Sequence, residues 1–452
     1  MVIYCIKNDT IICMKTRIEK MGINGEGIAY DRKSVLFIED ALPGEMVEYQ
    51  VISDSKAYKK AKCLKVYERS KDRKEPECPY YKRCGGCQIM HMNYSAQLDY
   101  KRDMVVEALN KYALIDESVV EDTLPNENVF GYRNSLKLPF MNHHGKLTTG
   151  LYEKDSNHIM NIDKCLIHDK GLERVRKNIV NVLNKYGYAV YDYKNKKGIR
   201  SLFIRVIDNH YQACIVTGED VLDSKCLDDL ERIEGLESIY QSIHTTKSHE
   251  FFGKQMIHLR GKKSIGFTFN GLRINLSIRA FFQLNTRQSS RLYELVKKEV
   301  KDNQNVIFEA YSGIGIMSLM MKDKAKKIIG VESIADAVNN ARKIAKDNGI
   351  DNVSFVCDDA PLSFTRYAKK EHIDTLIVDP PRTGLSDDML EAIIRSRVDN
   401  MIYVSCNPST LAKNLMVLKK YYNVLKVKPV DMFSNCASVE SITVLKRKQV
   451  SR

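Results

Sequence analysis

Val306-Ile307-Phe308-Glu309-Ala310-Tyr311-Ser312-Gly313-Ile314-Gly315 decides the fold. An apolar run of strand type ends in a Gly-x-Gly turn, and a helix is expected from Ile316. Glycines at such a turn let the backbone approach a bound nucleoside closely. A lone Gly-x-Gly is weak, but about twenty residues on, the apolar run Ile328-Ile329-Gly330-Val331 ends in Glu332, where a carboxylate holds ribose hydroxyls. A third run, Val353 to Val356, ends in Cys357-Asp358-Asp359. One of those two acids, taken as Asp359, is placed to reach an adenine edge.

The dinucleotide fingerprint asks for a third glycine, and Ser318 occupies that place, so pyrophosphate packing is disfavoured. S-adenosylmethionine, a nucleoside without phosphates, fits better. Further apolar runs begin near residues 375, 401, 424 and 442. Their order matches the seven-stranded sheet of class I methyltransferases, with the last two expected as an antiparallel edge.

Two of these runs carry chemistry at their ends. Thr375 to Val378 ends in Asp379-Pro380-Pro381-Arg382, and a later run ends in Tyr403-Val404-Ser405-Cys406-Asn407-Pro408. A carboxylate and a thiol at parallel strand ends open on one edge of the sheet, where ligands bind in open α/β folds. Asp-Pro-Pro resembles the motif of enzymes that methylate base amino groups, but Arg382 replaces the expected aromatic and a cysteine follows. An exocyclic nitrogen needs no covalent help, whereas C5 of uracil is a poor nucleophile until a thiolate adds to C6. Cys406 therefore selects carbon methylation. That route also needs a base for the C5 proton, and Glu440 in Ser438-Val439-Glu440 is the candidate.

Cys78, Cys84 and Cys87 have the spacing C-x5-C-x2-C, tight enough for three ligands on one metal centre. Spacing does not separate zinc from iron-sulfur, although zinc sites more often come as two close pairs. It departs from the C-x3-C-x2-C triad of radical enzymes that use S-adenosylmethionine.

At 452 residues and 51.9 kDa the chain is too long for one ordinary core, and two or three domains are expected. A net charge of +14 and a pI near 9.0 point to a polyanionic partner, with basic residues clustered at Lys56, Lys59, Lys60, Lys62 and Lys65. No apolar stretch of membrane-spanning length is present, and Met1 to Thr10 lacks a signal-peptide pattern, so a cytoplasmic protein is expected. Its twelve cysteines are then ligands, nucleophiles or core residues rather than a disulfide framework.

Residues from about Lys15 to Val66 alternate short β-like runs with turns and read as a small barrel. Gly25-Glu26-Gly27-Ile28-Ala29-Tyr30 and Leu42-Pro43-Gly44-Glu45 resemble the TRAM domain, an OB-like RNA-binding module. The charged stretch Glu68 to Glu77 reads as a linker, and Tyr94 to Ala113 as a helix through Leu98, Val105 and Leu109. From Asn128 to Asn275, runs such as Arg200 to Ile207 and Gln212 to Val216 alternate with helical stretches such as Leu172 to Tyr186, giving an α/β middle domain. Ser289 to Val300 is a further helix, and the chain ends in a basic tail of Lys446 to Lys448 and Arg452.

With these residues, together with Phe281-Phe282-Gln283-Leu284-Asn285 and Asp431-Met432-Phe433, the chain resembles the bacterial RNA uracil-C5 methyltransferase family over nearly its whole length. The resemblance is to the iron-sulfur branch acting on 23S ribosomal RNA. It implies an α/β protein: a C-terminal class I (Rossmann-like) sheet, an N-terminal OB-like TRAM barrel and an α/β middle domain. The implied spans are 1–72 for the barrel, 73–93 with 128–276 for the iron-sulfur and RNA-binding middle domain, and 94–127 with 277–452 for the methyltransferase domain. It further implies that Cys78, Cys84, Cys87 and Cys165 hold a [4Fe-4S] cluster of structural role. Gln283, Tyr311, Glu332 and Asp379 would bind S-adenosylmethionine, Cys406 would be the nucleophile and Glu440 the base. The partner implied is 23S ribosomal RNA, with a monomer and no membrane or obligate protein partner expected. Methylation of the tRNA T-loop and a catalytically inactive ribosome-assembly factor are the alternatives. Ser434 and Ser438 stand where the family usually has Pro and His, and Ile316 where a polar residue often meets the cofactor.

Overall fold

The computed structural model describes residues 14–31, 34–248 and 250–449. Met1 to Thr10, the start of the 1–72 span, and Arg452 of the basic tail lie outside the described residues. The chain forms two compact units, one of Met1–Asn126, Cys406–Met416 and Lys426–Ser441, the other of Glu127–Ser405, Val417–Leu425 and Ile442–Arg452.

In the first unit, period-two alternation produces a six-stranded sheet ordered Met14–Arg17, Met46–Asp54, Tyr58–Glu68, Ser34–Glu39, Gly27–Asp31 and Lys20–Met21. Ile18, Ala29, Leu36, Ile38, Val47 and Ala61 fill its inside. The stretch read as a linker is pinned rather than free. Arg73 donates to both carboxylate oxygens of Glu45, at 2.5 and 2.7 Å, and to the Asp40 carbonyl at 2.7 Å. The helix Tyr94–Ala108 continues as a wider turn over Leu109–Ala113, so the expected span holds. Its buried face includes the polar Gln97 and Lys101 beside Tyr100, Met104 and Val105.

The second unit holds one larger sheet and most of another. The first is ordered Gln255–Gly261, Leu236–Ile243, His210–Thr217, Ile199–Ile207, Ser135–His143, Lys146–Tyr152 and Ile159–Asn161. Helices Lys170–Lys185 and Ser224–Glu231 pack on one of its faces through Leu172, Val175, Ile179, Leu183, Leu227 and Leu230, meeting Leu136, Leu138, Leu202 and Ile204. The other sheet carries the motifs. Its strands are β1 (Gln304–Ala310), β2 (Ala325–Glu332), β3 (Val353–Cys357), β4 (Thr375–Val378), β5 (Asn400–Ser405), β6 (Tyr422–Val430) and β7 (Glu440–Arg447), in spatial order β3-β2-β1-β4-β5-β7-β6. The pairs β1/β2, β2/β3, β1/β4 and β4/β5 are parallel. Continuous apolar runs such as Thr375–Val378, buried at every position, are what strands covered on both faces require. The expected α/β class and the N-terminal sheet are therefore present.

Candidate active site

The strand order reverses between β1 and β4, where an open α/β sheet leaves a crevice at the carboxyl ends of its strands. Tyr311, the first residue beyond β1, has φ of +65°, a left-handed conformation unfavourable for a residue with a side chain. Gly315, with φ of +77°, closes the turn, and a Cβ there would stand 2.3 Å from the Phe355 ring. A Cβ built on Gly313 meets nothing within 4 Å, so the turn faces open space at that point. Glu332, at the end of β2, accepts the Gly313 N–H at 3.1 Å and the Ile334 N–H at 3.0 Å. Its carboxylate thus sits against the glycine turn.

Asp359 is exposed and caps the helix Ala360–Lys370 by accepting from the Leu362 N–H at 3.1 Å. Its neighbour Asp358 is committed to Arg366 and Ser363, and Asp359 is the acid whose charge acts on Tyr311. Burial, then the charge of Asp359, pushes the Tyr311 phenol up to about 12. Asp379 follows the last residue of β4, and desolvation lifts its carboxyl to about 7. Glu309, one residue before the end of β1, is driven by burial to about 8, with Asp379 and Glu332 adding to the rise and a short hydrogen bond from Ser318 opposing it. Among the described residues no Lys or Arg pairs with Glu309, Glu332 or Asp379. A crevice with several acids and no fixed cation suits a cationic ligand.

Sequence reasoning missed Glu309. The signal was an acid inside the otherwise apolar run of residues 306–310, where only a paired or ligand-facing carboxyl is affordable. Gln283 lies on the loop before helix Thr286–Glu299, where the Asn134 amide donates to its carbonyl at 2.7 Å and to Thr286 Oγ1 at 2.8 Å. A group of His372, Asp374 and Asp399 lies at the opposite strand ends, where the Asp374 carboxylate accepts the N–H groups of Asn305 and Val306, both at 2.8 Å. That acid clasps β1 to β4.

Cys406 and Glu440 belong to the first unit. Cys406 follows the last residue of β5, half-buried, just before helix Pro408–Leu418. Asn407 caps that helix, accepting from the Ser409 N–H at 3.1 Å, and a helix N-terminus favours a thiolate nearby. Glu440 is half-buried at the first position of β7. The segment leading to it is held by Asp431, which accepts from Lys101 Nζ at 2.5 Å, Tyr94 Oη at 2.7 Å and Ser434 Oγ at 2.6 Å. Ser434, a departure from the family pattern, also accepts from the Asn126 amide at 3.2 Å.

Cys78, Cys84 and Cys87 are half-buried cysteines, none in a disulfide, on a turn-rich segment of the first unit. The Gly86 N–H points at Cys84 Sγ, 3.4 Å away, and burial followed by the nearby Cys78 and Cys436 thiols raises the Cys84 pKa. Cys84 thus has a backbone donor on its sulfur and Cys78 and Cys436 near it, whereas among the described residues the one group of His, Cys, Asp and Glu side chains close enough to share an ion is His372, Asp374 and Asp399. Cys165 belongs to the second unit, half-buried, with its N–H donated to Glu173 at 3.1 Å.

Residues 269–448 match the tRNA (Uracil-5-)-methyltransferase family model. An RNA methyltransferase of Bacillus cereus is 36% identical over 441 residues, covering 95% of this chain and 96% of its own. One of Listeria innocua is 35% identical over 442 residues, covering 95% and 97%. The crystal structure of Pyrococcus abyssi tRNA (uracil-54, C5)-methyltransferase in complex with S-adenosyl-L-homocysteine superposes with a TM-score of 0.76 at 22% identity, covering 96% of this chain and all of that one, a likeness of fold. The chain is an enzyme and belongs to the bacterial RNA uracil-C5 methyltransferase family.

Proposed function

We propose that the protein methylates C5 of a uridine in 23S ribosomal RNA, using S-adenosylmethionine and a covalent adduct on Cys406. The observation that carries the reading is the position of Cys406, a half-buried thiol between the end of β5 and the start of a helix. S-adenosylmethionine, when bound, supplies an electrophilic methyl group. Tyr311, Glu332, Asp359 and Asp379 are the residues that would hold it, with Gln283 from the loop before helix Thr286–Glu299. The acids supply negative charge for its ammonium and sulfonium groups, and the Pyrococcus relative's bound S-adenosyl-L-homocysteine supports the assignment.

Cys406 adds to C6 of the uracil, which turns C5 into the nucleophilic carbon of an enolate. C5 takes the methyl group. Glu440 removes the C5 proton, and the electrons of that bond expel the Cys406 thiolate. The target base reaches the thiol by flipping out of its stack, and unpaired loops are the RNA elements from which this costs least. For a [4Fe-4S] centre, the spacing of Cys78, Cys84 and Cys87 supports these three as ligands, with Cys165 as the fourth that the resemblance implies. Such a centre, when bound, supplies iron-thiolate bonds that cross-link the chain, and no electron transfer enters this chemistry.

Methylation of tRNA is the second reading, favoured by the family model's description and by the Pyrococcus relative's substrate. A test of both uses 23S fragments and tRNA carrying 5-fluorouridine, labelled S-adenosylmethionine, and denaturing gels of wild type and Cys406→Ala. Fluorine is not removed as a proton, so a stable labelled adduct that needs Cys406 is expected, on 23S RNA. An adduct confined to tRNA replaces the substrate. Methyl transfer without any adduct excludes the thiolate route. A Cys406→Ala protein that restores every phenotype of a deletion would support the inactive assembly factor.

A further inference from the structure

Alternation along the middle sheet of the second unit leaves one face without helices. Leu136, Leu138 and Leu202 point into the helix-covered core, so Lys137, Pro139 and Ser201 face the other way. On that side lies a groove of about 930 Å³ whose lining includes Lys137, Tyr152, Tyr193, Arg200, Lys247 and Glu250. Tyr152 and Tyr193 are 52% and 54% exposed, an unusual outlay of aromatic surface for one groove.

One cation there, Arg200, is fixed in place. Arg200 donates to the carbonyls of His244 at 3.1 Å and Thr246 at 2.8 Å, and its guanidinium stands 5.6 and 5.5 Å from the Tyr191 and Tyr193 ring centres. Tyr191 and Tyr193 meet edge to face at 4.9 Å. Lys137 lies 5.2 Å from the Phe251 ring centre. Desolvation, then the charges of Arg205 and Arg133, hold its pKa below the ordinary lysine value. Glu250 is the single acid among the lining residues.

We propose that this groove binds a short single-stranded stretch of the RNA substrate, its bases stacked on Tyr152 and Tyr193 and its phosphates met by Lys137 and Arg200. The proposal rests on the RNA-methylating reading and adds to it a second anchoring site. Exposed rings grip unpaired bases of any sequence, whereas duplex RNA hides its base faces. The groove therefore discriminates single strands from duplexes and reads little sequence.

Fluorescence anisotropy of the full-length protein with a labelled single-stranded RNA 10-mer, and with the same 10-mer in a duplex, tests it. Tyr152→Ala and Tyr193→Ala are each expected to weaken single-strand binding about fivefold or more, and Tyr→Phe at either position to retain it. Lys137→Ala is expected to lower the salt dependence by about the 0.7 that one phosphate contact gives on single strands. Retention by the Phe variants separates stacking from misfolding. Unchanged single-strand affinity in both Ala variants, or equal affinity of wild type for the duplex, overturns the groove. Methyl transfer to RNA is measured in parallel on the wild type. Transfer with unaltered Ala-variant affinity sinks the groove alone, whereas failure of transfer sinks the methylation reading while the binding data still decide the groove.

Discussion

Glu45 and Asp431 in the first unit, and Glu309 and Asp379 in the second, are all acids withdrawn from water, but only the first two meet fixed cations. Arg73 lies within 2.5 Å of Glu45 and Lys101 within 2.5 Å of Asp431, with Glu45, Lys101 and Asp431 side chains fully buried. Burial alone would raise the Glu45 pKa, yet Arg73 and the Leu42 and Ser70 N–H groups bring it below its ordinary value. Glu309 and Asp379 have no such partner and are pushed up to about 8 and about 7. Paired acids tie distant parts of a chain together. Unpaired acids at the ends of parallel strands hold protons that a cationic ligand can displace.

The largest effect expected from this contrast is on stability. Lys101→Met leaves Asp431 buried without its cation and is expected to cost about 3–5 kcal/mol, read as an earlier unfolding transition in urea. Asp379→Asn is expected to act oppositely, stabilising the ligand-free protein at pH 8 by on the order of 1–3 kcal/mol while weakening S-adenosylmethionine binding 100-fold or more. That second figure is roughly what losing a charge-assisted contact in a dry site brings. If Asp379→Asn unfolds as early as Lys101→Met, the distinction between the two kinds of acid collapses.

A pH series sharpens the same point. The ordinary values of Asp379 and Glu309 are 3.8 and 4.5, and folding raises both, so between those values and about 7 and 8 the folded protein binds more protons than the unfolded one. Their contribution to stability is complete below pH 4 and is lost as pH rises through 7 to 8. A cationic ligand favours the ionised forms and must displace those protons. Calorimetry of S-adenosylmethionine binding at pH 7, in buffers of different ionisation enthalpy, should therefore show proton release, and affinity should rise up to about tenfold per pH unit for each proton displaced between pH 6 and 8. Proton uptake, or an affinity indifferent to pH, would mean that the ligand does not approach these carboxylates.

The two regions were not equally legible in the sequence. Glu332 and Asp379 end uninterrupted apolar runs, a local pattern that needs no knowledge of the rest of the chain. Cys406 was visible for the same reason. Lys101 and Gln97 were not, because the helix periodicity was read through Leu98, which is only half-buried, whereas the face that packs inward is partly polar. Its partners, Asp431 and Asn435, are 330 and 338 residues away in sequence, so hydropathy within a window of one helix holds no trace of them. Arg73 was hidden likewise, in a charged stretch that composition assigns to solvent. Tyr152 and Tyr193 escaped notice because an exposed tyrosine is ordinary until a sheet face gathers several of them.

The smallest of the expected effects concerns how far the first unit is only scaffold. The Gln88 and Ile89 N–H groups both donate to the Asn435 carbonyl at 3.0 Å, and the Gln88 side chain bridges the two segments. Its amide donates to the Gly85 carbonyl at 2.6 Å, and its oxygen accepts from the Ala437 N–H at 3.0 Å. Cys436 Sγ adds a contact of 3.1 Å to the Gly86 carbonyl. The cysteine segment and the chain leading to Glu440 are thus one hydrogen-bonded piece. Gln88→Ala removes two of these bonds, worth about 1–3 kcal/mol together, and should slow removal of the C5 proton several-fold while leaving attack by Cys406 intact. A methylated protein-RNA adduct on ordinary uridine should then persist long enough to be seen on a denaturing gel, as it would with Glu440→Gln, whereas wild type shows none. A Gln88→Ala protein that unfolds earlier but accumulates no adduct would place this tie with Arg73 and Lys101, holding the unit together without touching the reaction.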